Sequence, residues 1–128
     1  MAYRVGIDLA SVAAVDDSLL TFGQRYLERV YTDRDIDDCR RGSALSSSRL
    51  AARFAAKEAA FKALDVPRDG AVPWRTIEVV SAPSGAPTLR LTREAAAAAA
   101  AAGISDLAVS LTHEGRFAAA VVIATVAG

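Results

Sequence analysis

Two carboxylates and two lysines are the residues of this chain best suited to chemistry. Asp8 closes the apolar run from Tyr3, and Glu58 sits in Arg53-Phe-Ala-Ala-Lys57-Glu58-Ala-Ala-Phe-Lys62. Lys57 and Lys62 are the only lysines; every other basic residue is an arginine. Singly, each has an ordinary reading. Asp8 at a strand-to-helix junction can cap the helix or face solvent, and a Glu58–Lys62 pair at i,i+4 contributes only about 0.2–0.5 kcal/mol. Together they fit something sharper. Two carboxylates from different elements, with no His or Cys cluster beside them, suit a hard cation that keeps several waters, Mg²⁺ rather than zinc. Lysines flanking one carboxylate suit the phosphate oxygens that such a cation bridges. A metal-bound diphosphate explains this charge arrangement best, although no Walker loop or dinucleotide fingerprint accompanies it.

A long helix must carry three of these residues. No Gly or Pro occurs from Ser43 to Val66, and Ser46-Ser47-Ser48 leads in. Leu50, Phe54, Phe61 and Leu64 form its apolar stripe, with Lys57 inside the stripe and Glu58 and Lys62 along one edge. A lysine so placed must snorkel or meet an anion, because an unpaired buried ammonium is too costly. We therefore expect a charged ligand for Lys57. The other face is Ala52, Ala55, Ala56, Ala59 and Ala63, without charge, so the helix is expected to run through the middle of the fold.

The flanking elements follow from pattern and punctuation. Tyr3 to Leu9 reads as a strand, and Ser11 to about Phe22 as a helix with Ser11 as cap. Leu27 to Arg41 is charged and mixed, read as short surface helices with Thr32 or Asp33 capping the second. Val66 to Pro73 is a loop marked by Pro67, Gly70 and Pro73. Arg75 to Val80 and Thr88 to Leu91 are strands joined by Pro83-Ser84-Gly85-Ala86-Pro87. Arg93 to Ala102 is a helix that contains eight consecutive alanines, with Gly103 at C′. Leu107 to Leu111 and Phe117 to Val126 are strands around Thr112-His113-Glu114-Gly115, and the last is apolar on both faces, which predicts burial on both. The order gives an α+β fold, a mainly antiparallel sheet packed on a long central helix.

Composition bounds the function. The chain has 128 residues, is 52% apolar and has a formal net charge of zero. One domain spanning 1–128 is expected. With no basic excess, nucleic acid is excluded as the main ligand. The single Cys39 cannot form an internal disulfide, and with the single His113 it cannot build a zinc site. No secretory leader and no membrane-spanning stretch are visible, so a cytoplasmic protein is expected.

The residues also carry a family likeness. Gly6-Ile7-Asp8 followed by the Arg53–Lys62 run resembles the two-part signature of phosphopantetheinyl transferases, and the spacing and chain length are similar to those of the small holo-acyl-carrier-protein synthase type. Val109-Ser110-Leu111-Thr112-His113, followed by Ala118-Ala119-Ala120-Val121-Val122-Ile123, is similar to that family's closing Ser-x-Ser/Thr-His and Ala-rich strand. Gly85-Ala86-Pro87 resembles its Gly-x-Pro turn. These matches run in the family's order along nearly the whole chain.

The resemblance implies a phosphopantetheinyl-transferase-like fold and a reaction. A serine of an apo acyl carrier protein attacks the β-phosphate of coenzyme A, takes the phosphopantetheine arm and releases adenosine 3′,5′-bisphosphate. By motif position Asp8 and Glu58 hold Mg²⁺, and Lys62 neutralises charge on the phosphate, with Lys57 beside it. A metal-bound water or Glu58 accepts the serine proton. Arg53, Gly85, Pro87 and His113 contact the coenzyme, some from a neighbouring chain, because small members are homotrimers with the site between subunits. Carriers of fatty-acid and of polyketide synthesis both stay open. The alternative is a non-catalytic coenzyme A or carrier-protein binding module of the same fold. Two positions depart from the pattern. Ala14, followed by Asp16 and Asp17, stands where the family usually has an arginine facing the acidic carrier, which puts docking in doubt unless Arg25, Arg29, Arg40 and Arg41 compensate. Ala86 stands where a basic residue is frequent, which predicts a weaker grip on the adenosine phosphate.

Overall fold

A computed structural model describes residues 2–67 and 70–127. Residues 68 and 69, in the middle of the loop expected after the long helix, lie outside them.

The long helix is α4, Ser47–Leu64. Its first turn is capped by Ser46, whose hydroxyl accepts from Arg49 N–H at 3.3 Å. It ends at Asp65, which takes the left-handed conformation (φ 57°) so that Val66 N–H can close back on Phe61 O at 3.2 Å. Alanine and leucine positions are buried all round this helix, as its uncharged alanine face predicts.

Against α4 lies a three-stranded antiparallel sheet in the order β1-β7-β6, made of β1 (Ala2–Ser11), β6 (Ile104–Glu114) and β7 (Phe117–Val126). Register puts Gly6, Asp8 and Ala10 in rows with Val122, Ala120 and Ala118. This inner face is mostly small residues, and their size sets the helix–sheet distance. Gly6 is the tightest point. A Cβ added there would lie 2.8 Å from the Ala59 carbonyl carbon and 2.9 Å from Ala63 N, closer than real Cβ atoms come. Glycine is required at position 6 for space.

Around this centre stand α1 (Val12–Phe22), capped by Ser11 through Ala14 N–H at 3.2 Å, and α2 (Gln24–Val30). Next, α3 (Asp33–Asp38) begins with a capping box in which Thr32 accepts from Asp35 N–H and Asp35 accepts from Thr32 N–H. A short ribbon, β2 (Arg40–Arg41) with β3 (Ala44–Leu45), leads into α4. After α4, a single 3₁₀ turn at Trp74–Thr76 precedes a hairpin of β4 (Ile77–Ser81) and β5 (Pro87–Leu91). Helix α5 (Arg93–Ala101) then returns the chain to β6, with Gly103 at φ 72° beyond its end.

Three expectations change. The strand read from Arg75 begins at Ile77, because Arg75 and Thr76 belong to the 3₁₀ turn. Strand β6 is longer at both ends than the Leu107–Leu111 run, because its ladder with β7 continues through Thr112, His113 and Glu114 to a two-residue turn at Gly115-Arg116. More consequentially, the last strand is covered on one face only. Ala118, Ala120, Val122 and Ala124 are buried, whereas Phe117 and Ile123 are exposed. They share the outer face of the sheet with Tyr3, Val5, Ile7 and Leu9, which are 65–67% exposed. Among the described residues nothing covers this apolar face. Among the described residues no helix is long and apolar enough to cross a membrane.

Candidate active site

Asp8 and Lys62 meet because β1 and α4 approach so closely at Gly6. Asp8 shares the inner face of β1 with Gly6, and the Lys62 ammonium reaches across to it. Lys62 Nζ donates to Ile7 O at 2.8 Å and lies 3.4 Å from Asp8 Oδ1. Glu58 leaves α4 one turn before Lys62 and next to Ala59, whose carbonyl lies against Gly6. It lines a cavity of about 170 Å³ together with Arg29, Phe61 and Trp74. Among the described residues no group of three or more His, Cys, Asp or Glu side chains could hold a metal ion. The donor set for a cation is therefore two carboxylates at most, which suits Mg²⁺, an ion commonly held by one or two carboxylates with waters and phosphate oxygens completing its shell.

Lys57 requires a correction. It is 0% exposed, and the anion that its place in the apolar stripe demands is supplied from within the chain. Its ammonium lies 2.9 Å from Asp35 Oδ2 and donates to the carbonyls of Trp74 (3.1 Å) and Ile77. Burial pushes its pKa below the ordinary lysine value, and the Asp35 charge opposes that shift. Phe54 and Phe61, its neighbours on the stripe, pack on Trp74, with ring centroids 5.0 Å and 5.1 Å away. Lys57 is thus fully buried and paired within the chain. Asp35 gave no sign of this role in the sequence: Thr32-x-x-Asp35 marks a helix start, but nothing in its local pattern points toward a lysine on another helix.

Arg53, Gly85, Pro87 and His113, which lie far apart in sequence, line one cavity of about 450 Å³. Arg53 comes from α4, His113 from β6, where it pairs with Ala118 within the ladder, and the other two from the hairpin end. Gly85 takes φ 89° in a turn closed by its own N–H on Ala82 O at 2.7 Å, a conformation that glycine adopts freely. Arg49, Asp38, Val79 and Thr112 share the lining, and Asp38 and Arg49 were not singled out by sequence. Asp8, Glu58 and Lys62 do not line this cavity. Along α4 the nine residues from Arg53 to Lys62 correspond to about 13 Å of helix. One chain therefore presents a carboxylate–lysine cluster at one place and an arginine–histidine cavity at another.

A fold of this kind with such a pair of features defines a class. The family model of the 4′-phosphopantetheinyl transferase superfamily matches residues 4–122, and this chain belongs to that superfamily. Its likeness extends to particular members. It is 44% identical to the holo-[acyl-carrier-protein] synthase of Chloroflexus aurantiacus, over 93% of this chain and 95% of that protein, and 41% identical to that of Desulforudis audaxviator, over 97% and 93%. Among solved structures, Helicobacter pylori holo-[acyl-carrier-protein] synthase in complex with coenzyme A superposes with a TM-score of 0.83 at 31% identity, covering 94% of this chain and 99% of that one.

Proposed function

We propose that this protein transfers the phosphopantetheine arm of coenzyme A to a serine hydroxyl of an apo acyl carrier protein. The observation that carries this reading is the coexistence, in one fold of the superfamily, of the Asp8–Lys62 cluster beside Glu58 and the cavity lined by Arg53, Gly85, Pro87 and His113. In the reaction the serine oxygen forms a new bond to the β-phosphorus, the bond from that phosphorus to the bridging oxygen breaks, and adenosine 3′,5′-bisphosphate leaves. The serine proton passes to the Glu58 carboxylate. Mg²⁺ held by Asp8 and Glu58 supplies charge neutralisation on the diphosphate when bound. Lys62, which reaches Asp8 and the Ile7 carbonyl here, would add its charge to the phosphate oxygens that become more negative. Arg53 and His113 hold the nucleotide end, and Gly85 and Pro87 shape the wall on which it rests.

The two places join between copies of the chain. The uncovered face of Tyr3, Val5, Ile7 and Leu9 with Phe117 and Ile123 is an apolar patch of the kind that marks an interface. It lies on the outer face of β1, opposite the inner face that carries Asp8, and β1 is an edge strand, so a second copy seated there reaches the carboxylate around that free edge. A homotrimer closes such a heterologous contact into a ring.

The carrier meets the cleft beside α2. Arg25 and Arg29 line a cavity of about 390 Å³ with Phe22, Tyr26 and Trp74. Arg29 and Trp74 also line the cavity that contains Glu58, so the basic groove leads to the proposed base. The acid that stands on α1 is partly occupied, since Asp16 accepts a hydrogen bond from Ser47. A reducing, cytoplasmic setting suits the free, buried Cys39.

The test is intact-mass spectrometry of an apo acyl carrier protein incubated with this protein, coenzyme A and Mg²⁺, with a chelator control. A gain of one phosphopantetheine that the chelator abolishes is expected. Coenzyme A binding with no mass gain on several carriers would leave a binding module in its place.

A further inference from the structure

The cavity that binds the coenzyme in the reading above is backed by a group of buried charges of which only Arg53 lines it. Asp35, Lys57 and Arg53 are at most 7% exposed. One carboxylate ties three elements together. Asp35 Oδ2 accepts from Thr32 N–H (3.0 Å) and pairs with Lys57 Nζ (2.9 Å), while Oδ1 accepts from Val79 N–H at 3.1 Å on β4. Arg53 comes last in this competition. Its Nε lies 3.9 Å from Asp35 Oδ1, beyond hydrogen-bond reach, and is buried with no partner. Its other end lies 3.6 Å from Asp38, whose side chain is partly open to solvent.

The charges make the consequence plain. Two cations share one fully buried anion, and the lysine, held also by the carbonyls of Trp74 and Ile77, takes it. Arg53 lines the cavity, while its unspent Nε lies buried behind that wall. A cation at a concave wall whose charge is not fully paired within the chain is set to receive an anion from outside. Without Lys57, the same carboxylate would be free to take Arg53 into a full ion pair.

We propose that Lys57 and Asp35 are positioning residues for coenzyme binding: Lys57 occupies Asp35 so that the Arg53 guanidinium stays available to the phosphate-bearing ligand of the cavity. This rests on the reading of that cavity as the coenzyme site. Lys57 acts through Arg53 and never meets the ligand.

The experiment compares Lys57→Met with the double variant Asp35→Asn/Lys57→Met. The single variant retains one buried anion and one buried cation, which are then left to each other. The double variant removes the anion as well and restores the freedom of Arg53. Calorimetric titration with coenzyme A is expected to show affinity about tenfold weaker in the single variant, the size of one lost charge-assisted hydrogen bond, and recovery to within about threefold of the parent in the double. A pair that only braces the fold gives the opposite order, the double variant binding no better than the single. In parallel, the Arg53 Nε–H resonance, assigned by its loss in Arg53→Ala, should move downfield in the single variant and return in the double. This readout needs no ligand. If the parent binds no coenzyme A, the proposed function falls, and the resonance alone decides the sharing of Asp35: a shift that reverses upholds it, and an unmoved resonance overturns it. Should Lys57→Met fail to fold, Lys57→Gln, uncharged but still able to donate to the Trp74 carbonyl, takes its place under the same criteria.

Discussion

Replacing Gly6 with alanine separates the packing of this fold from its chemistry, because one methyl group acts on both. The added Cβ would lie 2.8 Å from the Ala59 carbonyl carbon and 2.9 Å from Ala63 N, inside the 3.0 Å that such atoms keep. All of these neighbours are backbone of α4, so no side chain can rotate away. The strand must retreat instead, by on the order of 1 Å, at a cost of about 1–3 kcal/mol for an overpacked core. Asp8 rides on the same face of the same strand, and Lys62 already reaches it only at 3.4 Å. A displacement of that size in a reacting geometry costs about a hundredfold in rate. The assay is steady-state transfer to an apo carrier, read at a temperature where circular dichroism shows the variant folded. Loss of kcat with coenzyme A affinity nearly kept is expected, since the Arg53 cavity lies elsewhere. Trimming Ala59 to glycine in the same chain should not restore activity, because the clash is with its carbonyl. Parental stability and rate in Gly6→Ala would refute the close β1–α4 approach and the placement of Asp8 that depends on it.

Three further outcomes follow from the site and core. Glu58→Gln should lower transfer by at least about a hundredfold, as expected for loss of a group stabilising or relaying charge in the transition state, with an unchanged melting temperature. Ala14→Arg should raise the rate on an acidic carrier at low salt, with the gain fading as ionic strength rises; an unchanged rate would sink the electrostatic account of docking. The Cys39 thiol is raised from 9.0 to about 11, chiefly by burial. Its contribution is therefore complete below pH 9 and is lost as pH rises through 11, by about 3 kcal/mol. Urea unfolding at successive pH values should show a shallower alkaline decline in Cys39→Ala than in the parent. Lys57, lowered by burial, shifts both proteins alike and cancels in the comparison, whereas Tyr31, raised chiefly by burial, also feels the Cys39 charge and loses that smaller contribution in the variant.

Much of this fold could be read from the chain because its signals are local. Ser11, Thr32 and Ser46 cap the helices that follow them, and the uncharged alanine face of α4 correctly announced burial on most sides. What escaped was settled at a distance. Lys57 correctly signalled an anion, but which anion depends on α3 folding back over α4, and a capping-box aspartate looks the same whether its free oxygen meets water or an ammonium. The twofold apolar pattern of the last strand was real, yet periodicity cannot distinguish a face covered by the chain itself from one left exposed. Residues 112–114 read as the connection between the last two strands; pairing with β7 along an exposed face draws them into the ladder instead. The gathering of Arg53 with His113 and the hairpin residues rested on family likeness, since no spacing in the sequence joins a helix to two separate β-hairpins.

The most direct test of a reaction centre assembled between copies is complementation by mixed assembly. Chains carrying Glu58→Gln are coexpressed with chains carrying Arg53→Ala and His113→Ala, each with its own tag, and the doubly tagged assembly is assayed for phosphopantetheine gain on the carrier. Each parent alone should be inactive. The doubly tagged trimer should recover about a third of the wild-type rate per site, because in a ring of either mixed composition one contact of the three unites an intact carboxylate cluster with an intact cavity. A doubly tagged assembly as inactive as its parents would contradict it and place the whole centre within one chain.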